Sequence, residues 1–153
     1  MIDLDQLSAG ARQALEAVGP SVVRIGRGGG RGCGVVVGDG LVATNAHNLR
    51  DRTTSVRFPD GREVQGELTA ADTDGDLAVL RVDTAGAPAL RFADREVQPG
   101  DVVYAVARTA TGAERVSFGM VSGTERAFRG PRGRRIRGSI EHTAALPRGS
   151  SGS

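Results

Sequence analysis

Apolar residues follow two different patterns along the chain. In residues 3–17 they recur at every third or fourth position and stop before Gly19-Pro20, which predicts a short amphipathic helix. From Ser21 onward they form short runs rich in β-branched side chains, separated by Gly, Asp and Pro. These runs predict strands at Ser21–Ile25, Cys33–Val37, Leu41–Thr44, Thr54–Phe58, Val64–Ala70, Leu77–Val82, Val102–Ala107, Arg115–Val121 and Arg135–Ile140. Short strands at this spacing are typical of an all-β barrel or sandwich.

Turn-forming residues organise the predicted strands. Pro59-Asp60-Gly61 lies between two apolar runs and predicts a hairpin. Residues 84–98 show little periodicity and contain Gly and Pro, so we interpret them as a connection between two halves of the β structure. Arg27–Arg31 and Arg126–Gly138 are rich in Gly and Arg, and we expect both to be loops, the second strongly basic.

Composition indicates a globular protein and removes several classes of function. Hydrophobic residues make up 39% of the chain and charged residues 25%, which is ordinary for a folded domain. No apolar run approaches the roughly 18 residues of a membrane-spanning helix. Cys33 is the single cysteine, which excludes internal disulfides and multi-cysteine zinc sites. All the basic residues are arginine, and there is no lysine. The net charge of +2 is too small to imply nucleic-acid binding.

No pattern in the sequence predicts a metal or a cofactor. Asp72-Thr73-Asp74-Gly75-Asp76 is similar to the start of a calcium-binding loop, but Leu77 stands where that loop requires Gly. The glycines between Gly26 and Gly34 fit neither the dinucleotide-binding pattern nor the phosphate-binding loop. We therefore expect neither a metal ion nor a cofactor.

The residue types of nucleophilic serine catalysis occur in the order His, Asp, Ser. His47 follows the apolar run Leu41–Thr44, aspartates precede the run Leu77–Val82, and serines lie among glycines at the C-terminus. This chemistry needs a hydroxyl, an imidazole to take its proton and a carboxylate to fix the imidazole tautomer. The β-barrel proteases carry the three groups in this chain order. Each group also has a structural alternative, as a surface histidine, a turn residue or a flexible tail, and Asp72, Asp74 and Asp76 compete for one role.

Five short sequence motifs resemble motifs of the trypsin-like serine proteases of the HtrA/Deg type, and they occur in the same order along the chain. They are Gly32-Cys33-Gly34-Val35-Val36-Val37, Val42-Ala43-Thr44-Asn45-Ala46-His47, Asp76-Leu77-Ala78-Val79-Leu80-Arg81-Val82, Gly100-Asp101-Val102-Val103-Tyr104-Ala105-Val106 and Val116-Ser117-Phe118-Gly119-Met120-Val121-Ser122. Residues 140–153 are similar to the run that leads into the family's Gly-Asn-Ser-Gly-Gly. The resemblance covers residues 19–153.

The resemblance implies a double six-stranded β-barrel with a short N-terminal helix. It places the helix in residues 1–18, the first barrel in 19–84, the connection in 85–99 and the second barrel in 100–153. The chain departs from the family pattern at Cys33, where Ser is usual, and at Ser153, where a second Gly is usual. It also stops two residues after Ser151, so we expect the second barrel to be incomplete at its C-terminus.

The resemblance also implies a set of functional residues. His47 is the general base, Asp76 its orienting acid and Ser151 the nucleophile, while the backbone N–H groups of Gly149 and Ser151 form an oxyanion hole. Ala145 and Leu146 lie near the base of the primary specificity pocket, where small apolar walls favour modest aliphatic side chains. We expect the other histidine, His142, to be structural or to line the cleft.

The expected function is a serine endopeptidase that cleaves polypeptide through an acyl-enzyme. The alternative is an inactive β-barrel module that binds peptide or, through Arg126–Gly138, a polyanion. Nucleic acid is not favoured, because Phe128 is the single aromatic residue of that segment. Proteins of the HtrA/Deg type are often trimeric, so a homo-oligomer stays open. The acidic N-terminus is unlike a signal peptide, which predicts a cytoplasmic location.

Overall fold

The computed structural model describes residues 3–27, 30–130, 133 and 135–153. The chain begins with helix α1, Leu4–Val18, as the apolar spacing predicts. Asp3 caps its N-terminus, since Asp3 Oδ1 accepts hydrogen bonds from Asp5 N at 3.0 Å and Gln6 N at 3.3 Å. Along the helix, Tyr104 Oη donates to Leu7 O at 3.3 Å. No helix in the described part of the chain is long and apolar enough to cross a membrane.

Strands β1 to β6 form a closed antiparallel barrel in the order β1-β2-β3-β6-β5-β4. They are Val22–Ile25, Gly32–Gly38, Leu41–Asn45, Thr53–Arg57, Glu63–Asp72 and Leu77–Arg81. Alternate residues of these strands point inward, as the pleat requires, and form an aliphatic core with Phe58. The core consists of Val23, Ile25, Val36, Val42, Val56, Phe58, Leu80 and Val82.

Strands β7 to β9 form a separate three-stranded antiparallel sheet in the order β7-β8-β9. They are Val102–Arg108, Glu114–Arg129 and Arg135–His142. Residues 82–101, between the barrel and this sheet, contain neither helix nor strand. The barrel, the partial second sheet and the N-terminal helix confirm the predicted trypsin-like fold class, and each predicted strand has its counterpart.

The predicted basic loop Arg126–Gly138 was wrong in part. β8 continues to Arg129 and β9 begins at Arg135, and these two residues pair with each other. Both strands are exposed here, so they pair through backbone hydrogen bonds without the apolar alternation that reveals a half-buried strand. Pro131, Arg132 and Arg134 of this segment, and Gly28 and Gly29 of the predicted loop Arg27–Arg31, lie outside the described residues.

Arg108, at the end of β7, joins the second sheet to the barrel. Its side chain is buried, with Nε donating to Val22 O at 2.8 Å and Nη2 donating to Gly19 O at 2.8 Å. Nη2 also contacts Glu114 Oε1 at 2.9 Å. Beside these bonds, Val22 and Cys33 of the barrel pack against Val106 and Ala107 of β7, and the C-terminal residues reach this same junction.

Candidate active site

His47 and Asp76 meet because the strands that carry them are paired. β3 ends at Asn45, which pairs with Leu77, the first residue of β6. His47 follows the end of β3 and Asp76 precedes the start of β6, so the two residues lie side by side. His47 Nδ1 is 2.6 Å from Asp76 Oδ2, and the backbone N–H of His47 donates to Asp76 Oδ1 at 2.9 Å. Both carboxylate oxygens are therefore engaged by the same histidine.

The backbone of Asp76 is fixed in an uncommon conformation. Its φ is 57°, in the left-handed region that non-glycine residues seldom adopt. Asp76 O accepts hydrogen bonds from Ala46 N at 3.1 Å and Asn45 Nδ2 at 3.0 Å, which hold it there. Such strain is typical of residues placed for function. Asp72 instead caps its own turn, accepting from Asp74 N and Gly75 N, so among the competing aspartates Asp76 is the one that contacts His47.

The pair has a buried acid and an accessible base. The Asp76 side chain is 9% exposed and the His47 side chain is 37% exposed. A carboxylate at Nδ1 favours the tautomer with the proton on Nδ1, which leaves Nε2 as the basic atom of the ring. The arrangement therefore presents an oriented proton acceptor at the surface.

The backbone of Ser151 is held next to this pair. Ser151 O accepts hydrogen bonds from Cys33 N at 2.7 Å and from Asn48 Nδ2 at 3.0 Å, and Asn48 directly follows His47 in the chain. Ser151 itself is exposed. In the part of the chain that the structure describes, Ser151 Oγ makes no hydrogen bond to His47. Such contacts are often long in ligand-free enzymes and tighten when substrate binds.

Two consecutive turns shape the segment around Ser151. Ser150 N donates to Pro147 O at 3.1 Å and Ser153 N donates to Ser150 O at 2.9 Å. The third residue of each turn is a glycine of positive φ, Gly149 at 84° and Gly152 at 87°, as a type II turn requires. Ser153 has no positive φ, so this backbone path accepts Ser where the family pattern has Gly.

The N–H groups of Gly149 and Ser151 are the proposed oxyanion donors. Within the described residues, neither donates a hydrogen bond to a protein acceptor. The segment that carries them approaches the barrel so closely that a Cβ on Gly152 would overlap Cys33 O. Two free donors on a tight turn can stabilise an oxyanion.

Arg24 holds the segment around Ser151 through a hydrogen bond to Gly149 O. The sequence analysis did not identify Arg24 as a functional residue. Its side chain lies in β1 and is 4% exposed. Arg24 Nη1 donates to Gly149 O at 2.7 Å and to Arg108 O at 2.9 Å, and lies 3.7 Å from Cys33 Sγ. Strand alternation explains this direction, since Val23 and Ile25 face the barrel core while Val22 and Arg24 face the junction with β7. An arginine inside an apolar four-residue strand was the available signal.

Ala145 and Leu146 line a cavity of about 600 Å³ between the segment leading to Ser151 and the strands β7 and β8. Small apolar residues contribute most of its wall, namely Ala105, Ala107, Val116, Ala145, Leu146 and Pro147. Glu114 and Arg115 also line it, but the Glu114 carboxylate is engaged by Arg108. Ser117 Oγ donates to Ala145 O at 2.6 Å and fixes this wall to β8.

His142 lies apart from the His47–Asp76 pair. It ends β9 and lines a different cavity, together with Phe128, Ile140 and Leu146. Its Nδ1 is buried and has no hydrogen-bond partner among the described residues. The structure therefore brings His47, Asp76, Gly149 and Ser151 close together, and among the described residues His142 makes no hydrogen bond to any of them.

Comparisons with known proteins identify the family to which this fold belongs. Residues 32–153 match the family model of the trypsin-like peptidase domain. The mitochondrial serine protease HTRA2 of Drosophila pseudoobscura pseudoobscura is 32% identical over 124 residues, which are 77% of this chain and 29% of that protein. The serine endoprotease DegS of Escherichia coli K12 is 32% identical over 125 residues, which are 79% of this chain and 35% of that protein.

The same kinship appears in three dimensions. The crystal structure of the MamO protease domain from Magnetospirillum magneticum, in its apo form, superposes with a TM-score of 0.75 at 26% identity. The match covers 88% of this chain and 77% of that domain. The chain spans about a third of the length of the two sequence relatives, HTRA2 and DegS. The chain therefore belongs to the trypsin-like peptidases, as its resemblance to the HtrA/Deg type predicts.

Proposed function

We propose that the chain carries the catalytic residues of a serine endopeptidase, with His47, Asp76 and Ser151 acting as a triad. The observation that carries the proposal is the contact of 2.6 Å between His47 Nδ1 and the buried Asp76 carboxylate, next to an exposed serine on a glycine turn. A buried carboxylate on one ring nitrogen is what a catalytic imidazole needs, because it fixes the tautomer and stabilises the imidazolium.

The proposed reaction has two halves. In the first, His47 Nε2 takes the proton of Ser151 Oγ as that oxygen attacks the substrate carbonyl carbon. The tetrahedral oxyanion accepts hydrogen bonds from the N–H groups of Gly149 and Ser151. The carbon–nitrogen bond then breaks, the protonated His47 gives its proton to the leaving amine, and an ester to Ser151 remains.

In the second half, water attacks that ester. His47 takes a proton from the water, and a second tetrahedral oxyanion forms in the same pair of N–H groups. The intermediate expels Ser151 Oγ, which recovers its proton from His47, and the carboxylic acid product leaves. Asp76 stays ionised throughout and is the positioning residue of the imidazole.

The substrates we propose are polypeptides with a modest aliphatic side chain before the cleaved bond. Ala145 and Leu146 line the apolar cavity next to the Ser151 turn, which would hold such a side chain. The carboxylate in the wall, Glu114, is already engaged by Arg108 at 2.9 Å. A basic substrate side chain would therefore find no free acid in the described wall of this cavity.

A second candidate function is an inactive module that binds peptide or a polyanion. Two observations favour it: within the described residues Ser151 Oγ makes no hydrogen bond to His47, and the arginines of the β8–β9 hairpin are exposed. Of these, Arg126 is partly neutralised by Glu141, with Nε 3.3 Å from Oε2. The orientation of His47 by Asp76 has no role in such a module, so we rank it second.

A fluorophosphonate probe separates the two candidates. The full chain is incubated with the probe, and the labelled peptide is located by mass spectrometry. We expect an adduct on Ser151 that is lost in His47→Ala and retained in the matched variant His142→Ala, because His47 and not His142 contacts Asp76. A folded sample that takes up no probe would overturn the protease and favour the binding module.

A further inference from the structure

A second cavity, with a cationic wall, lies beside the candidate active site. It has a volume of about 390 Å³ and is lined by polar and charged residues of strands β4 and β5 and of the segments that follow β1 and β3. Its charged side chains are Arg27, Arg31, Arg50 and Asp51. We refer to it as the cationic cavity.

The arginines of the cationic cavity form no close ion pair among the described residues. No ion pair within 4.0 Å involves Arg27, Arg31, Arg50 or Asp51 in the described part of the chain. Hydrogen bonds from Ser55 and Arg57 hold the nearby Glu63 carboxylate and lower its pKa, and Arg27 adds only a smaller electrostatic contribution. The wall therefore has three positive charges against one negative charge, and a concave wall with an excess of one sign attracts ligands of the opposite sign.

The cavity is joined to the active site through Asn48. Asn48 lines the cavity, follows His47 in the chain, and donates from Nδ2 to Ser151 O at 3.0 Å. In the proposed reaction His47 gives its proton to the leaving amine, so the leaving half of the substrate must begin within hydrogen-bonding distance of His47. The residues that follow the cleaved bond are therefore the part of the substrate nearest to this cavity.

We infer that the cationic cavity is a subsite for a carboxylate carried by the leaving half of the substrate. Arginine guanidinium groups bind carboxylates with paired, charge-assisted hydrogen bonds, and this cavity has the volume of a small ligand site. The carboxylate comes either from an Asp or Glu side chain shortly after the cleaved bond or from the free C-terminus of a short leaving peptide. The inference rests on the proposed protease function.

The test compares quenched fluorescent peptides that differ in one charge. One pair carries Glu or Gln at a single position among the first three after the cleaved bond, with an amidated C-terminus. A second pair has Gln at that position and either a free or an amidated C-terminus. We expect kcat/KM to be about two- to fivefold higher at low salt for the carboxylate member of one of the two pairs, because the arginines are exposed and an exposed ion pair contributes little more. The ratio should shrink as salt is raised.

Variants assign the preference to the cavity. In Arg50→Gln and Arg31→Gln we expect the Glu/Gln or free/amidated ratio to fall toward one. The matched control Arg81→Gln removes an exposed arginine of β6 that does not line the cavity, and we expect it to keep the ratio of the unmodified chain. Equal cleavage of both members of both pairs would overturn the inference and leave the protease standing.

A binding measurement decides the inference without turnover. Fluorescence anisotropy with the Ser151→Ala chain gives the dissociation constant of each labelled peptide. We expect tighter binding of the same carboxylate member, and loss of this difference in Ser151→Ala combined with Arg50→Gln. Absence of cleavage with a retained binding preference would overturn the protease alone, and equal binding of both members would overturn the subsite.

Discussion

Replacing Arg24 should weaken both the fold and the proposed site, because this buried side chain ties the C-terminal segment to the barrel. Arg24→Met keeps the length of the side chain and removes the donors to Gly149 O and Arg108 O. A hydrogen bond to a charged group contributes about 1.5–3 kcal/mol, and a carbonyl left without a partner costs about as much. Since the bond to Gly149 O is only partly buried, we expect a loss of about 3 kcal/mol in the free energy of unfolding.

The same substitution should slow acylation in molecules that are still folded. Gly149 O belongs to the peptide between Gly149 and Ser150, and the two proposed oxyanion donors flank that peptide. Without the guanidinium the turn can rotate, and the donors lose their common direction. Removal of a whole oxyanion donor costs about 100- to 1,000-fold in kcat, so we expect a misplaced one to cost about 10- to 100-fold.

Urea unfolding followed by circular dichroism measures the first effect, and the rate of fluorophosphonate labelling in buffer measures the second. A loss of about 3 kcal/mol lowers the urea midpoint by about 1 to 2 M for a chain of this size. Arg24→Lys keeps the positive charge but loses the planar guanidinium group with its paired donors. Its urea midpoint and its labelling rate should therefore lie between those of the unmodified chain and those of Arg24→Met. Arg81→Met, on the barrel surface, is the matched control. An Arg24→Met chain with the midpoint and labelling rate of the control would refute the reasoning.

Further predictions concern the acid, a glycine and pH. Asp76→Asn should lower kcat about 10,000-fold with little change in the fold, because an amide favours the wrong imidazole tautomer; activity within tenfold of the unmodified chain would contradict the triad. Gly152→Ala should destabilise the chain more than Gly61→Ala in urea unfolding, because both have a φ of 87° but only Gly152 would place its Cβ against backbone; equal losses would contradict this close approach. The backbone N–H of Gln98 and a neighbouring arginine hold the pKa of Asp101 below its usual 3.8. The stabilisation is therefore present above pH 3.8 and lost as pH falls through the lowered pKa, so the urea midpoints of the unmodified chain and Asp101→Asn should converge in acid; a constant gap would contradict the shift.

Most of the barrel could be predicted because its strands are short β-branched runs bounded by turn residues. For example, the strand predicted at Val102–Ala107 is observed at Val102–Arg108. The hairpin predicted at Pro59-Asp60-Gly61 is also observed, and it connects β4 and β5. The β8–β9 hairpin was harder to predict. Residues such as Arg129 and Arg135 pair across exposed strands, where no buried face imposes apolar alternation.

From local pattern alone the site could be predicted only as far as it lies at strand ends, and the choice of Asp76 and Ser151 came from the resemblance to the HtrA/Deg type. His47 and the aspartates were visible beside apolar runs, but the choice of Asp76 depends on the register of Asn45 with Leu77, which no local pattern contains. Arg24 and Asn48 were missed because their roles arise from contacts across more than a hundred residues of chain. The roles of His47, Asp76, Ser151, Ala145 and Leu146 stay predictions.

The bonds that place the candidate nucleophile come from the first barrel. Ser151 O is held by Cys33 of β2 and by Asn48, and Gly149 O is held by Arg24 of β1. The base and its acid also lie at the ends of barrel strands, β3 and β6. Partners on one closed barrel keep their mutual geometry when an exposed hairpin such as β8–β9 moves. Perturbing the barrel near Arg24 should therefore affect the active site more than perturbing the hairpin, although the hairpin is closer in sequence to Ser151.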